Sequence, residues 1–172
     1  MSDIQNAFRL IGSLDLTSLS HDDTEEKIAA LCAKAVTPYG TTAAVCVYPE
    51  WVPLARKLLK KTPVKVATVV NFPAGGNDFK LMKDEIKKGL SGGADEIDAV
   101  FPYRDFLAGN TDSCRRFLDI IQRECGKHTS KIILETGELN HVSTIAAAVK
   151  LCLEYDIDFI KTSTGKTPVS AT

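Results

Sequence analysis

Histidine, methionine and tryptophan are scarce in this chain of 172 residues, at three, two and one. The histidines, His21, His128 and His141, lie in polar stretches of sequence, a poor setting for a catalytic or metal-binding imidazole. Five cysteines, Cys32, Cys46, Cys114, Cys125 and Cys152, make an odd number with no Cys-x-x-Cys pair and no histidine at ligand spacing. Reduced, mostly buried thiols are expected, and a metal site has no candidate. Long apolar runs are missing too: none approaches the roughly 20 residues of a membrane-spanning helix. The opening MSDIQNAFRL lacks the basic patch and apolar stretch of a signal peptide. Neither sign of charge dominates, with 21 Lys and Arg against 22 Asp and Glu, so no basic face for nucleic acid stands out. These absences together lead us to expect a cytosolic protein that binds neither nucleic acid nor membrane.

What is present is alternation. Short β-branched runs recur at Ile11 to Thr17, Thr42 to Tyr48, Lys65 to Val70, Glu96 to Phe101, Lys131 to Thr136 and Phe159 to Thr164, giving six expected strands. Between them lie helix-length segments, Thr24 to Ala35, Trp51 to Lys60, Asn77 to Leu90, Asp112 to Cys125 and Ser143 to Tyr155, each opening near a capping residue or proline. Such a pattern implies parallel strands with helical crossovers, either an open doubly wound sheet or a (β/α)8 barrel. A strand buried on both faces should be almost wholly apolar. Yet Asp15, Asp98, Lys131, Glu135 and Lys161 interrupt these runs. Ionisable groups on several strands aimed at one interior favour the barrel, whose active sites are built that way. No linker or repeat divides the chain, and residues 1–172 read as a single domain.

The stretch "DFIKTSTGKT", residues 158–167, invites two readings. A phosphate-binding P-loop needs glycine five residues before its Gly-Lys-Thr, and that place is Ile160. The run from Tyr155 to Ile160 reads instead as a strand continuing through Lys161. A mid-strand lysine most often lays its stem along the sheet and carries its ammonium out to water. The alternative is a nucleophile, which needs a confined site and a neighbouring cation so that the amine can be neutral; Lys131 and Lys166 are candidates for that cation. Asp98, in "ADEIDAVFPYR" with Glu96 on its face of the strand, is either a buried ion-pair partner of Lys131 or Lys161 or a proton relay beside the lysine. Cys46, between Val45 and Val47, reads as a small core residue. Thr162, Ser163 and Thr164 offer hydroxyls at the strand end, followed by Gly165 and Lys166, where a loop can present an N–H and an ammonium to an anion.

"LDLTSL", "TTAAVCVYP", "VATVVNFPAG", "GADEIDAVFPYR", "ILETGEL" and above all "DFIKTSTGK" resemble, in order and spacing, the deoxyribose-phosphate aldolase family. The resemblance runs from about residue 10 to the end. It implies a (β/α)8 TIM barrel and a class I aldolase that uses a lysine Schiff base, with no metal and no other cofactor. Such an enzyme cleaves 2-deoxy-D-ribose 5-phosphate reversibly to D-glyceraldehyde 3-phosphate and acetaldehyde. By motif, the resemblance implies Lys161 as the Schiff-base lysine and Asp98 as the proton-relaying aspartate. It implies Asp15, Thr17, Cys46, Lys131 and Thr162 facing the substrate, with Gly165 and Lys166 at its phosphate end. The family continues with two more strands, whereas this sequence stops at Thr172. The expected architecture is therefore an incomplete barrel with about six of eight strands, truncated at the C-terminus. Its partner is a phosphorylated sugar, with a homo-oligomer left open. The alternative is a non-catalytic barrel fragment that associates with another chain.

Overall fold

The computed structural model describes residues 3–170; the ends of the expected domain, residues 1, 2, 171 and 172, lie outside the described residues. In chain order the elements are α1 (Asp3–Ile11), β1 (Asp15–Thr17), α2 (Glu25–Lys34), a small hairpin of β2 (Val36–Thr37) and β3 (Gly40–Thr41), β4 (Ala44–Val47), a 3-10 turn (Pro49–Trp51), α3 (Val52–Leu59) and β5 (Lys65–Val70). There follow α4 (Phe79–Gly92), β6 (Glu96–Val100), α5 (Tyr103–Leu107), α6 (Thr111–Cys125), β7 (Thr129–Ile133), α7 (Thr136–Leu139), α8 (Val142–Cys152) and β8 (Phe159–Lys161). The parallel strands are hydrogen-bonded in the order β1-β4-β5-β6-β7-β8, which is also their order along the chain. A doubly wound sheet reverses its strand order at a switch point. No reversal occurs here, so the six strands are those of an incomplete TIM-type barrel, as expected.

Contacts group the chain into two compact units, one formed by the chain up to Thr68 with Lys88–Asp95, the other by Val69–Lys87 with the chain from Glu96 onward. In the first, Ile28 and Cys32 of α2, Val52, Ala55 and Leu59 of α3, and Val45, Val47 and Val66 of the strands are buried. Thr24 caps α2, its hydroxyl accepting from Lys27 N–H at 3.3 Å. Asp95, just before β6, exchanges bonds with the neighbouring strand: its N–H donates to Val66 O at 2.7 Å and its carboxylate accepts from Val66 N–H at 2.8 Å. The Arg56 guanidinium lies on the same carboxylate and donates to Gly93 O.

In the second unit, α6 shows why its sequence is helical. Cys114, Phe117, Leu118, Ile121 and Cys125 recur at helical spacing and are all buried, one apolar stripe against the sheet. Asn110 caps its start, accepting from Ser113 N–H, and Gly126, at φ 59°, ends it. Asp158, just before β8, repeats the device of Asp95: its N–H donates to Ser130 O at 3.1 Å and its carboxylate accepts from Ser130 N–H at 2.8 Å. The two aspartates fasten strand beginnings, while the strand ends are left for other groups.

All five cysteines are buried thiols outside any disulfide, as expected. Burial pushes the thiols of Cys125 and Cys152 up to about 12 and that of Cys114 up to about 11, from 9.0. A thiolate nucleophile is thereby disfavoured at these positions. The folded state holds these thiols protonated, while an unfolded chain releases their protons from about pH 9. Their stabilising effect is therefore complete below pH 9 and is lost as pH rises toward 12. The urea midpoint should fall steadily between about pH 9 and about pH 11, and Cys152→Ala should fall less steeply.

Candidate active site

Parallel pairing in the second unit places Asp98 of β6 opposite Lys131 of β7, and Ile133 of β7 opposite Lys161 of β8. Side chains two apart on one strand share a face, so Glu96 and Asp98 both meet Lys131. Lys131 Nζ lies 2.6 Å from Glu96 Oε2 and 3.5 Å from Asp98 Oδ1, and Lys161 Nζ donates to Asp98 Oδ2. Glu96, Lys131, Asp98 and Lys161 thus form a row of alternating charge. Its members differ in exposure. Asp98 is fully buried, the side chains of Lys131 and Glu96 are 8% and 15% exposed, and that of Lys161 is 31% exposed.

The row explains how four ionisable groups are kept under the sheet surface. An isolated buried charge is costly, but here each inner charge lies between two of opposite sign. Asp98 Oδ1 makes no hydrogen bond among the described residues, although Lys131 stands 3.5 Å away. The site therefore combines an amine reachable from solvent, a buried carboxylate on that amine, and a carboxylate oxygen with room for one more donor. That combination can form and resolve an imine, where protons must be given and taken beside the reacting nitrogen.

Other site candidates lie in three further places. Gly165, at φ 72°, and Lys166 follow β8 on an exposed loop, and Lys166 N–H donates to the Thr164 hydroxyl oxygen at 3.0 Å. Thr162, just past the end of β8, lines a groove with Thr136, Gly137, Val142, Ile145 and Val169, and its carbonyl accepts from Thr136 N–H. Asp15, Thr17 and Cys46 belong to the first unit, where Thr17 pairs in register with buried Cys46 and Asp15 with Ala44. Thr17 Oγ1 donates to Asp15 O at 3.1 Å. Glu96 is absent from the expected site. Its place on the face of Asp98 was visible in the sequence, but its pairing with Lys131 depends on the register of two strands.

The DeoC/LacD family aldolase model matches residues 9–172. Among solved structures, a protein from Coccidioides immitis provisionally assigned as a deoxyribose-phosphate aldolase superposes with a TM-score of 0.90 at 30% identity, over 96% of this chain and 64% of its own. A similarly assigned protein from Toxoplasma gondii ME49 gives 0.86 at 29% identity, over 98% and 64%. A third, described as QR15, an aldolase, gives 0.87 at 32% identity, over 100% and 73%. The chain thus spans slightly less than two thirds of the length of the first two. With the family model running through both compact units and the charged row lying inside the match, the chain belongs to the DeoC/LacD family of aldolases.

Proposed function

We propose that this chain is a deoxyribose-phosphate aldolase working through a Schiff base on Lys161. The observation that carries the reading is the placement of the Lys161 ammonium, partly open to solvent, on buried Asp98. An ammonium must lose a proton before its nitrogen can attack a carbonyl, and Asp98 Oδ2, already its hydrogen-bond acceptor, is the base within reach. The neutral amine adds to C1 of open-chain 2-deoxy-D-ribose 5-phosphate. Loss of water, with a proton delivered to the departing hydroxyl, leaves a protonated imine. A base takes the C3 hydroxyl proton, the C2–C3 bond breaks, and its electron pair moves into an enamine while C3 leaves as the aldehyde of D-glyceraldehyde 3-phosphate. Protonation at C2 and hydrolysis then free acetaldehyde and the lysine. Lys131, held by Glu96, keeps a positive charge beside Asp98 through these steps.

The same proposal gives Asp15, Thr17, Cys46 and Thr162 to substrate contacts and Gly165 with Lys166 to the phosphate. It treats residues 1–172 as one aldolase domain, in keeping with a single family model matched across both compact units. Borohydride reduction in the presence of deoxyribose 5-phosphate should leave a stable adduct on the peptide that contains Lys161. An adduct elsewhere, or none, would sink the Schiff-base reading.

A further inference from the structure

Three consecutive residues just past β7 each take hold of the segment that follows Lys161. Thr136 N–H donates to Thr162 O at 2.8 Å. Gly137 admits the backbone of Val169, whose carbonyl oxygen would stand 2.0 Å from a Cβ at that position. Glu135 is fully buried, and its backbone is left-handed at φ 56° and ψ 63°. Its carboxylate accepts from Thr164 N–H at 3.2 Å and from the Thr164 hydroxyl. The hydroxyl oxygen of Thr164 accepts in turn from Lys166 N–H at 3.0 Å.

A hydroxyl has one proton and two lone pairs. With its proton committed to a carboxylate, the Thr164 oxygen is polarised and its lone pair is directed at Lys166 N–H. Gly165, at φ 72°, is enclosed between the two bonded residues. Neither burial of a carboxylate nor a left-handed glutamate is favourable in itself. An apolar core position would call for neither. Both are accounted for when the carboxylate serves to set the direction of the loop that carries Gly165 and Lys166.

We propose that Glu135 is a positioning residue for the anion-binding end of the site. Acting through Thr164, it fixes Gly165 and Lys166 so that a phosphorylated sugar is preferred to its non-phosphorylated counterpart. The identity of the sugar rests on the aldolase reading, while the anion preference rests on the loop alone.

The test uses the 172-residue chain with inorganic phosphate as the probe, followed on the backbone amide NMR signals of Gly165 and Lys166. Phosphate should shift both signals. Glu135→Gln and Thr164→Val should raise the half-saturating phosphate concentration about tenfold, and Thr164→Ser, which keeps the hydroxyl, should stay within about twofold. Absence of phosphate-dependent shifts in the unsubstituted chain, or equal affinities in all four proteins, overturns the proposal. Borohydride trapping on Lys161 supplies the second arm. In Glu135→Gln the half-saturating deoxyribose 5-phosphate should rise about tenfold while that of deoxyribose stays within about twofold. An equal rise for both sugars would mean a purely structural role and would also overturn the proposal. If phosphate behaves as expected but neither sugar is trapped in the unsubstituted chain, the aldolase reading fails and the role of Glu135 stands.

Discussion

Lys161→Arg should remove the borohydride adduct and lower the rate of acetaldehyde release by at least about 10^4-fold, the scale on which loss of an attacking nucleophile is felt. Arginine is the informative replacement. It keeps a positive charge beside Asp98, so the buried carboxylate retains a partner, but its guanidinium stays protonated and cannot add to a carbonyl. The temperature of unfolding should therefore move by only a few degrees. This separation matters because Lys161 bonds directly to a fully buried carboxylate. Lys161→Ala would confound the loss of chemistry with the loss of an ion pair. Retention of the adduct in Lys161→Arg, mapped by peptide mass, would place the imine on another lysine.

Much of the fold was legible because six β-branched runs each had to find a place in a buried sheet. The run Lys65 to Val70 became a strand residue for residue, and the run Glu96 to Phe101 lost only its last residue. The seventh strand shows where pattern reading slips. The run Lys131 to Thr136 suggested a strand with Glu135 on the face of Lys131, yet β7 spans Thr129–Ile133 and Thr136 already opens α7. Left-handed backbone at Glu135 breaks the alternation, and nothing in a run of apolar residues announces that break. The run from Ile11 shortened to Asp15–Thr17 because its first residue ends α1. Helices α5 and α7 and the β2–β3 hairpin went unforeseen, being too short to show a period; α1 was missed although Ile4, Phe8 and Ile11 in its sequence keep helical spacing.

Of the candidate site, Lys161 and Asp98 were legible as ionisable residues inside apolar strands, and the structure brings them together. The sequence left open whether Asp98 meets Lys131 or Lys161; it meets both. The partnership of Glu96 with Lys131 and that of Glu135 with Thr164 were not legible. Each joins two strands or strand ends, and the stagger between neighbouring strands is set by the whole sheet rather than by either segment. Asp95 and Asp158 are a milder case. Both precede a strand by one residue and both bond to the neighbouring strand, a repeat that appears only once register is known.

Asp98→Asn is expected to cost about 2–4 kcal/mol of stability and to slow the reaction by about 10^2- to 10^4-fold. The stability loss follows from the row of charges. Without the carboxylate, Lys131 keeps Glu96 at 2.6 Å, but its charge and that of Lys161 face each other with no anion between them. Lys161, 31% exposed, can turn toward water, so the cost should lie near the lower end of that range. The kinetic loss has a different origin, because an amide cannot take the proton that Lys161 must release. The two effects are separable by replacing both inner members with apolar residues of similar volume. Asp98→Leu combined with Lys131→Met, and with Glu96→Gln so that no carboxylate is left behind when Lys131 is removed, should recover much of the stability lost in Asp98→Asn, since a well-filled apolar site often matches a buried ion pair. It should recover none of the rate. Urea denaturation and borohydride trapping on the same samples give both readings. A combined variant as unstable as the single one would show that the alternating row is not what holds these side chains in the sheet. A single variant within about threefold of the original trapping rate would remove Asp98 from the proton transfers altogether.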